Sequence, residues 1–241
     1  MSYLQKGRYR VDIADSDADF AASYVLRTLC FGPAGGEQDV FDAASTHFLV
    51  TDTANEQLVC SFRVALLDAQ AITASYSGQF YDLERLARFQ GNILELGRFC
   101  VHPQVGDPDL LRIAWGALTR FVDEHNVRLL FGCSSFQGTD PAPYLDAFAH
   151  LKARHLAPPN WAPHMKSDSV FDFDTHVTHS VDAKGAMAAM PPLLRTYLMM
   201  GGWVSNHAVV DHHMNTLHVF TGLEIAAIPP ARKRLLRAVL E

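Results

Sequence analysis

Apolar and polar positions along the chain change period several times, and each change marks an element. Tyr9 to Ile13 alternates as a short strand. Asp15-Ser-Asp-Ala-Asp19 then offers capping oxygens to a helix that runs toward Cys30, and Gly32-Pro33-Ala-Gly35-Gly36 stops it. Two alternating runs, His47–Thr51 and Leu58–Leu67, flank the polar turn Asp52–Gln57 and predict a hairpin. Residues 68–92 hold no clean period. Ile93–Val101 reads as a strand, and Asp107-Pro108 opens a helix over about 109–125, with Leu111, Ala114/Trp115, Leu118 and Phe121/Val122 at helical spacing. Val127–Ser135 is nearly continuous in apolar residues, as a central strand would be. Pro191–Gly201 predicts a further helix and Leu217–Leu223 a late strand. The sum is an α/β (α+β) chain: a mixed sheet flanked by helices, read as a single domain over 1–241 with no internal repeat or linker.

Composition changes this picture little. The chain of 241 residues is 49% hydrophobic, ordinary for a globular protein. No run approaches the ~18 uncharged apolar residues of a membrane span, and Met1 to Arg10 lacks the apolar stretch of a signal peptide. The expected location is therefore the cytoplasm. Cys30, Cys60, Cys100 and Cys133 are widely spaced, without a C-x-x-C pair, and read as reduced core residues. The net charge of −6 argues against nucleic acid as a partner. Arg232-Lys233-Arg234…Arg237 is the one clearly basic stretch, either a solvated helix end that suits the macrodipole or a contact for an acidic protein or anionic membrane surface.

The local oddity that suggests chemistry is Ile93-Leu-Glu95-Leu-Gly97-Arg98-Phe-Cys-Val101, where two ionisable residues fall in a strand that should be buried. In a regular strand Glu95 and Arg98 face opposite ways, and a bulge at Gly97 would re-aim them. They form either a structural ion pair or a general base organised by arginine. Other constellations weigh less. His176-x-x-His179 and Asp211-His212-His213 match no known ligand set, so no metal is expected. Ser134 and Ser135 lack a nucleophile elbow, and a thiol nucleophile at Cys100 or Cys133 suits an amine acceptor less well than direct attack.

Glu95-Leu-Gly-Arg98-Phe resembles the E-x-x-R strand of the acyl-homoserine-lactone synthases. Upstream stand Arg27-x-x-x-Phe31, Glu37-x-Asp39-x-x-Asp42 and Arg63, in the same order and approximate spacing. Tyr76-Ser77…Phe80-Tyr81-Asp82-Leu83, Gly132-Cys-Ser-Ser-Phe136-x-Gly138-Thr139-Asp140-Pro141, Pro191-Pro-Leu-Leu-x-x-Tyr197-Leu and Asn215-Thr216 resemble the ornithine-lipid N-acyltransferases, over roughly residues 8–225. Two departures stand out. The synthases carry a tryptophan shortly after the Phe31 position, where this chain has only its glycine-rich loop, and His207–His213 is richer in histidine than expected.

The resemblance implies a GNAT-like fold and transfer of a (3-hydroxy)acyl chain from acyl-carrier protein to the α-amine of ornithine, giving lyso-ornithine lipid. The phosphopantetheine thioester is then the donor, with no tightly bound cofactor, and a peripheral contact with the inner membrane is compatible with an amphiphilic product. Alternatives are an autoinducer synthase or a non-catalytic binding protein. On this reading Glu95, with Arg98, is the catalytic pair. Asp39 and Asp42 hold the cationic part of the acceptor, and Arg27, Arg63 or Arg98 hold its carboxylate or brace the acids. Phe31, Phe99, Cys100, Val101, Ser134 and Ser135 complete the expected substrate contacts, the pantetheine arm entering between strands 93–101 and 127–135. The turn Gln104–Asp109 bears separately on the donor: Pro108 removes an N–H and two aspartates repel phosphate, so a CoA pyrophosphate is poorly served there.

Overall fold

A computed structural model describes residues 2–36, 38–178 and 182–240. In chain order the elements are β1 (Leu4–Lys6), β2 (Tyr9–Ile13), α1 (Asp17–Phe31), α2 (Pro33–Gly36), β3 (Thr46–Asp52), β4 (Gln57–Asp68), β5 (Tyr81–Asp82) and β6 (Asn92–Val101). There follow α3 (Pro108–Glu124), β7 (Val127–Gln137), α4 (Leu145–Arg154), β8 (His164–Met165), β9 (Val170–Asp172), α5 (Phe173–His176), α6 (Ala183–Ala189) and α7 (Pro192–Met199). The last are β10 (Trp203–Val204), β11 (His207–Asp211), β12 (Thr216–Glu224) and α8 (Pro230–Arg237). They fold into two compact units, residues 1–66, 94–127 and 229–241 in one and 67–93 with 128–228 in the other.

In the first unit the strands run β1-β2-β3-β4-β6. Gly7, at φ 58, turns β1 into β2, and β2, β3 and β4 pair antiparallel with a bulge between Val50 and Thr51. The starts of the helices follow from local chemistry. Ser16 caps α1 by accepting from the Asp19 N–H (3.3 Å), while the Asp19 carboxylate takes the Ser16 hydroxyl (2.8 Å) and the Asp15 N–H (3.2 Å). Gly32, at φ 77, ends the helix. Asp107 caps α3, and Pro108 occupies its first turn. The core is aromatic: Phe48 stacks on Phe62 at 4.8 Å and meets Phe121 edge-on at 5.7 Å. α3 packs against α8, fastened by two Arg237–Asp123 hydrogen bonds of 3.0 Å.

In the second unit the order is β7-β12-β11-β9, with β10 also on β12. Both faces of this sheet are covered. Leu217 and Val219 of β12 face a cluster with Phe136, Phe148, Phe171 and Phe173, whereas Phe220 faces Tyr81, Phe131 and Trp203. That explains the unbroken burial of β12 from Leu217 to Leu223. Residues 68–92, which show no period in the sequence, form 3₁₀ turns at Ala69–Ala74, Ser77–Gln79 and Leu86–Arg88 that bury Ile72, Leu83 and Leu86.

Candidate active site

Glu95 is 5% exposed in the middle of β6. The backbone departs from a regular strand at Arg98, whose φ is +52°, rather than at Gly97, where the sequence suggested a bulge. A left-handed arginine is strained unless its surroundings hold it. Arg98 is held by the Asp39 carboxylate, 2.9 Å from its guanidinium. A Cβ at Gly97 would meet the Arg63 side chain at 3.5 Å, an ordinary van der Waals contact, so space does not require glycine there.

Asp39 opens a network that gathers five residues expected from the sequence. Arg63 donates to Asp39 and to Asp42, both at 2.5 Å, and Arg27 donates to Asp42 at 2.9 Å. The Asp42 carboxylate also takes the Asp39 N–H at 2.9 Å, folding the loop 38–45 back on itself. The side chains come from four places: Arg27 from the inner face of α1, Asp39 and Asp42 from the loop, Arg63 from β4 and Arg98 from β6. Tyr24, one turn before Arg27, lies 5.1 Å beneath its guanidinium.

Burial divides the network. The Arg27 and Asp42 side chains are each 1% exposed and Arg63 is 5% exposed, whereas Asp39 is 24% and Arg98 11% exposed. Arg27 and Asp42 are thus interior braces, and Asp39 and Arg98 form the edge that a solute can meet. Burial works to raise the Asp39 pKa, but the hydrogen bond and charge of Arg63, with Arg98, bring it below the usual carboxylate range. Burial lowers the Arg27 pKa against the pull of Asp42. In Arg63 the same desolvation is outweighed by Asp39 and Asp42, and the pKa rises. At neutral pH this edge presents both a carboxylate and guanidinium groups, a pattern matched to a zwitterion.

Sequence reasoning missed His47. It is buried, with Nε2 3.1 Å from the Asp42 carbonyl oxygen and 3.6 Å from its carboxylate, and desolvation holds its pKa down. The signal was present in the hairpin, whose register places His47 directly across from Arg63. Of the other expected contacts, Phe99 stacks on Phe62 at 5.3 Å, and Phe31 is half-buried at the end of α1. Cys100 is buried, its sulfur 3.2 Å from the Ser61 hydroxyl, and the Val101 carbonyl takes the Cys30 thiol at 3.3 Å. In the second unit Ser134 is buried and accepts from Thr221 at 2.9 Å, while Ser135 is exposed. Glu37 and His179 lie outside the described residues.

The turn before α3 is occupied by its own side chains. The Asp107 carboxylate takes the Asp109 N–H at 2.9 Å and the Tyr9 hydroxyl at 2.8 Å, with Arg8 at 3.4 Å. Those bonds, the Asp109 N–H first, lower the Asp107 pKa. The helix N-terminus therefore carries a carboxylate of its own where a bound phosphate would sit.

The family profile described as an acetyltransferase (GNAT) domain matches residues 28–116, which include Asp39, Asp42, Arg63, Glu95 and Arg98. The L-ornithine N(alpha)-acyltransferase of Rhodobacter capsulatus is 32% identical over 238 residues, 91% of each chain. The chain belongs to the L-ornithine N(alpha)-acyltransferase family. A second member, from Brucella abortus, is 29% identical over 92% of this chain and 86% of its own. Among solved structures, apo TofI aligns with a TM-score of 0.53 at 15% identity, covering 97% of this chain and 99% of that one. FeeM, an N-acyl amino acid synthase from uncultured soil microbes, aligns with a TM-score of 0.50 at 12% identity, covering 92% and 93%. The fold is GNAT-like, as the resemblance implied, and the chain is an acyltransferase of this family.

Proposed function

We propose that the protein transfers a 3-hydroxyacyl chain from the phosphopantetheine thioester of acyl-carrier protein to the α-amine of ornithine, releasing lyso-ornithine lipid. The observation that carries the acceptor is the partly exposed Asp39–Arg98 edge of the buried network, set in a family whose members are named for ornithine. Asp39 receives the side-chain ammonium and Arg98 the carboxylate, while Arg27, Asp42 and Arg63 keep both in place. The α-amine must lose a proton before it attacks the thioester carbonyl. Glu95, three residues before Arg98 on β6, takes that proton directly or through water. Backbone N–H groups of Phe99–Val101 serve the tetrahedral oxyanion.

The donor assignment rests on the turn before α3. Asp107 already caps the helix and Pro108 has no N–H to give, which disfavours the pyrophosphate of CoA. The single phosphodiester of a carrier-bound pantetheine asks less of that turn. No helix among the described residues is long and apolar enough to cross a membrane. The exposed Arg232, Arg234 and Leu235 of α8 suit a peripheral contact with anionic lipid.

The test is mass spectrometry of the purified protein with 3-hydroxyacyl-carrier protein, mixed amino acids and S-adenosylmethionine. N-acylornithine with the carrier thiol freed is the expected result. An acyl-homoserine lactone, an intact thioester, or equal turnover with acyl-CoA would each overturn part of the assignment: acceptor, catalysis or donor in turn.

A further inference from the structure

The second unit buries two imidazoles, His207 at 0% and His218 at 2% exposure, and neither Nε2 atom has a hydrogen-bond partner among the described residues. Folded proteins rarely leave such groups unpaired. The other ring nitrogen of each shows where the proton sits. His207 Nδ1 lies 2.9 Å from the Asn206 side-chain oxygen, which can only accept, so Nδ1 carries the hydrogen. The Tyr81 hydroxyl lies 2.8 Å from the His218 carbonyl oxygen and 3.0 Å from His218 Nδ1. Its single hydrogen goes to the carbonyl, which has none to give, and Nδ1–H donates to the phenol oxygen; no other assignment satisfies both contacts. Each Nε2 therefore presents a lone pair. Burial, which pushes both pKa values down to about 4, keeps both rings neutral at neutral pH.

Of the two, His218 stands beside the rim of its sheet face. β12 pairs with β7 so that His218 lies directly across from Ser135, and Phe220 across from Cys133, all four on one face. Ser135 is exposed and Cys133 is half-buried. The His218 ring meets the half-buried Phe80 edge-on at 4.9 Å. Further in, Phe131, Trp203 and Phe220 form an apolar cluster with Tyr81. A lone acceptor in such surroundings selects its ligand by chemistry. The partner must supply a hydrogen, and it must be neutral, because stripping an ammonium of water there is costly. It must also bring hydrocarbon to lie against the aromatic rings. A hydroxyl on an aliphatic chain meets all three demands.

We propose that His218 Nε2 accepts a hydrogen bond from the 3-hydroxyl of the donated acyl chain and so selects hydroxylated chains. This selectivity rests on the acyl donor proposed above and adds the residue that reads its hydroxyl. A chain without the hydroxyl leaves the buried lone pair unpaired, which should cost it roughly 10–100-fold in kcat/KM. Tyr81 is a positioning residue: its two contacts to His218 fix the tautomer that makes Nε2 an acceptor.

The experiment compares kcat/KM of the whole protein for 3-hydroxytetradecanoyl- and tetradecanoyl-carrier protein, with ornithine as acceptor. The wild type should prefer the hydroxylated chain by roughly 10–100-fold. His218→Phe keeps a ring against Phe80 but has no lone pair, and the preference should vanish. His218→Gln brings an amide oxygen close to the position of Nε2 and should restore part of it. Circular dichroism confirms that both variants are folded. A second readout needs no turnover. The nitrogen NMR resonance of His218 Nε2, identified by its absence in His218→Phe, should move on adding methyl 3-hydroxydecanoate and stay in place with methyl decanoate. Equal use of the two chains by the wild type would overturn the proposal, as would a preference kept in folded His218→Phe or a resonance that both esters leave unmoved. If neither chain is transferred, the proposed function fails instead, and the resonance alone decides whether His218 reads a hydroxyl.

Discussion

Replacing Asp42 by asparagine keeps the shape of the side chain and removes its charge. The carboxylate faces Arg27 at 2.9 Å and Arg63 at 2.5 Å and takes the Asp39 N–H at 2.9 Å. With Arg27 and Asp42 each 1% exposed, water cannot stand in for the lost charge. Removing one partner of a buried ion pair costs about 3–5 kcal/mol, because the other charge stays buried. That is a large share of a domain stability of about 5–15 kcal/mol. At roughly 2–4 °C per kcal/mol for a chain of this size, Tm should fall by about 6–20 °C. Asp39→Asn is the matched control. Its side chain is 24% exposed, so solvent screens the loss and the cost should be near 1 kcal/mol, with a Tm change of only a few degrees. If Asp39 receives the acceptor, Asp39→Asn should instead raise KM for ornithine about tenfold or more, worth roughly 1.4 kcal/mol. Thermal melts and urea titrations of both variants, with acceptor kinetics on Asp39→Asn, separate brace from binder. Equal Tm values, or an Asp42→Asn variant within 1 kcal/mol of the parent, would refute the division.

Three further outcomes follow from other parts of the molecule. His207 and His218 are buried, their Nε2 atoms lack a hydrogen-bond partner among the described residues, and burial pushes both pKa values down to about 4. The unfolded chain then binds more protons between pH 6.5 and 4. The stabilisation is complete above about pH 6.5 and is lost as pH falls through 4, up to about 3 kcal/mol for each ring; a urea midpoint flat from pH 7 to 4 would contradict it. Gly222→Ala would place a Cβ 2.4 Å from the Trp203 ring, and the overpacked core should lose about 1–3 kcal/mol, read as a lower urea midpoint; a shift below 0.5 kcal/mol would show that the ring yields freely. Glu95→Gln should reduce acyl transfer by roughly 10²–10⁴-fold, and a folded variant with full turnover would remove Glu95 as the base.

Where a residue acts through its immediate neighbours, its effect was legible in the sequence. Asp107-Pro108 announces α3 to within a residue, and Ser16 between aspartates announces α1, because capping is settled within one turn. β1 escaped notice because Leu4–Lys6 offers one apolar residue in three and is held by its backbone pairing to β2. The helix Leu145–Arg154 escaped too: its buried Ala147, Phe148 and Leu151 are diluted by alanine and by His150. The active-site candidates were recognisable by type and order, yet their division of labour was not. Which aspartate braces and which faces outward depends on a loop that folds back through the Asp39 N–H onto Asp42, and that closure joins residues three apart only when three separate elements supply their arginines. The same holds at Gly97-Arg98. Sequence assigned the irregular backbone to glycine on steric grounds. In the fold the strained φ falls instead on Arg98, the residue with a carboxylate to hold it. The strain at Arg98 and the grip of Asp39 are therefore one feature: loosening the pair at Asp39 should free the backbone at Arg98, so the network positions β6 as much as β6 positions the network.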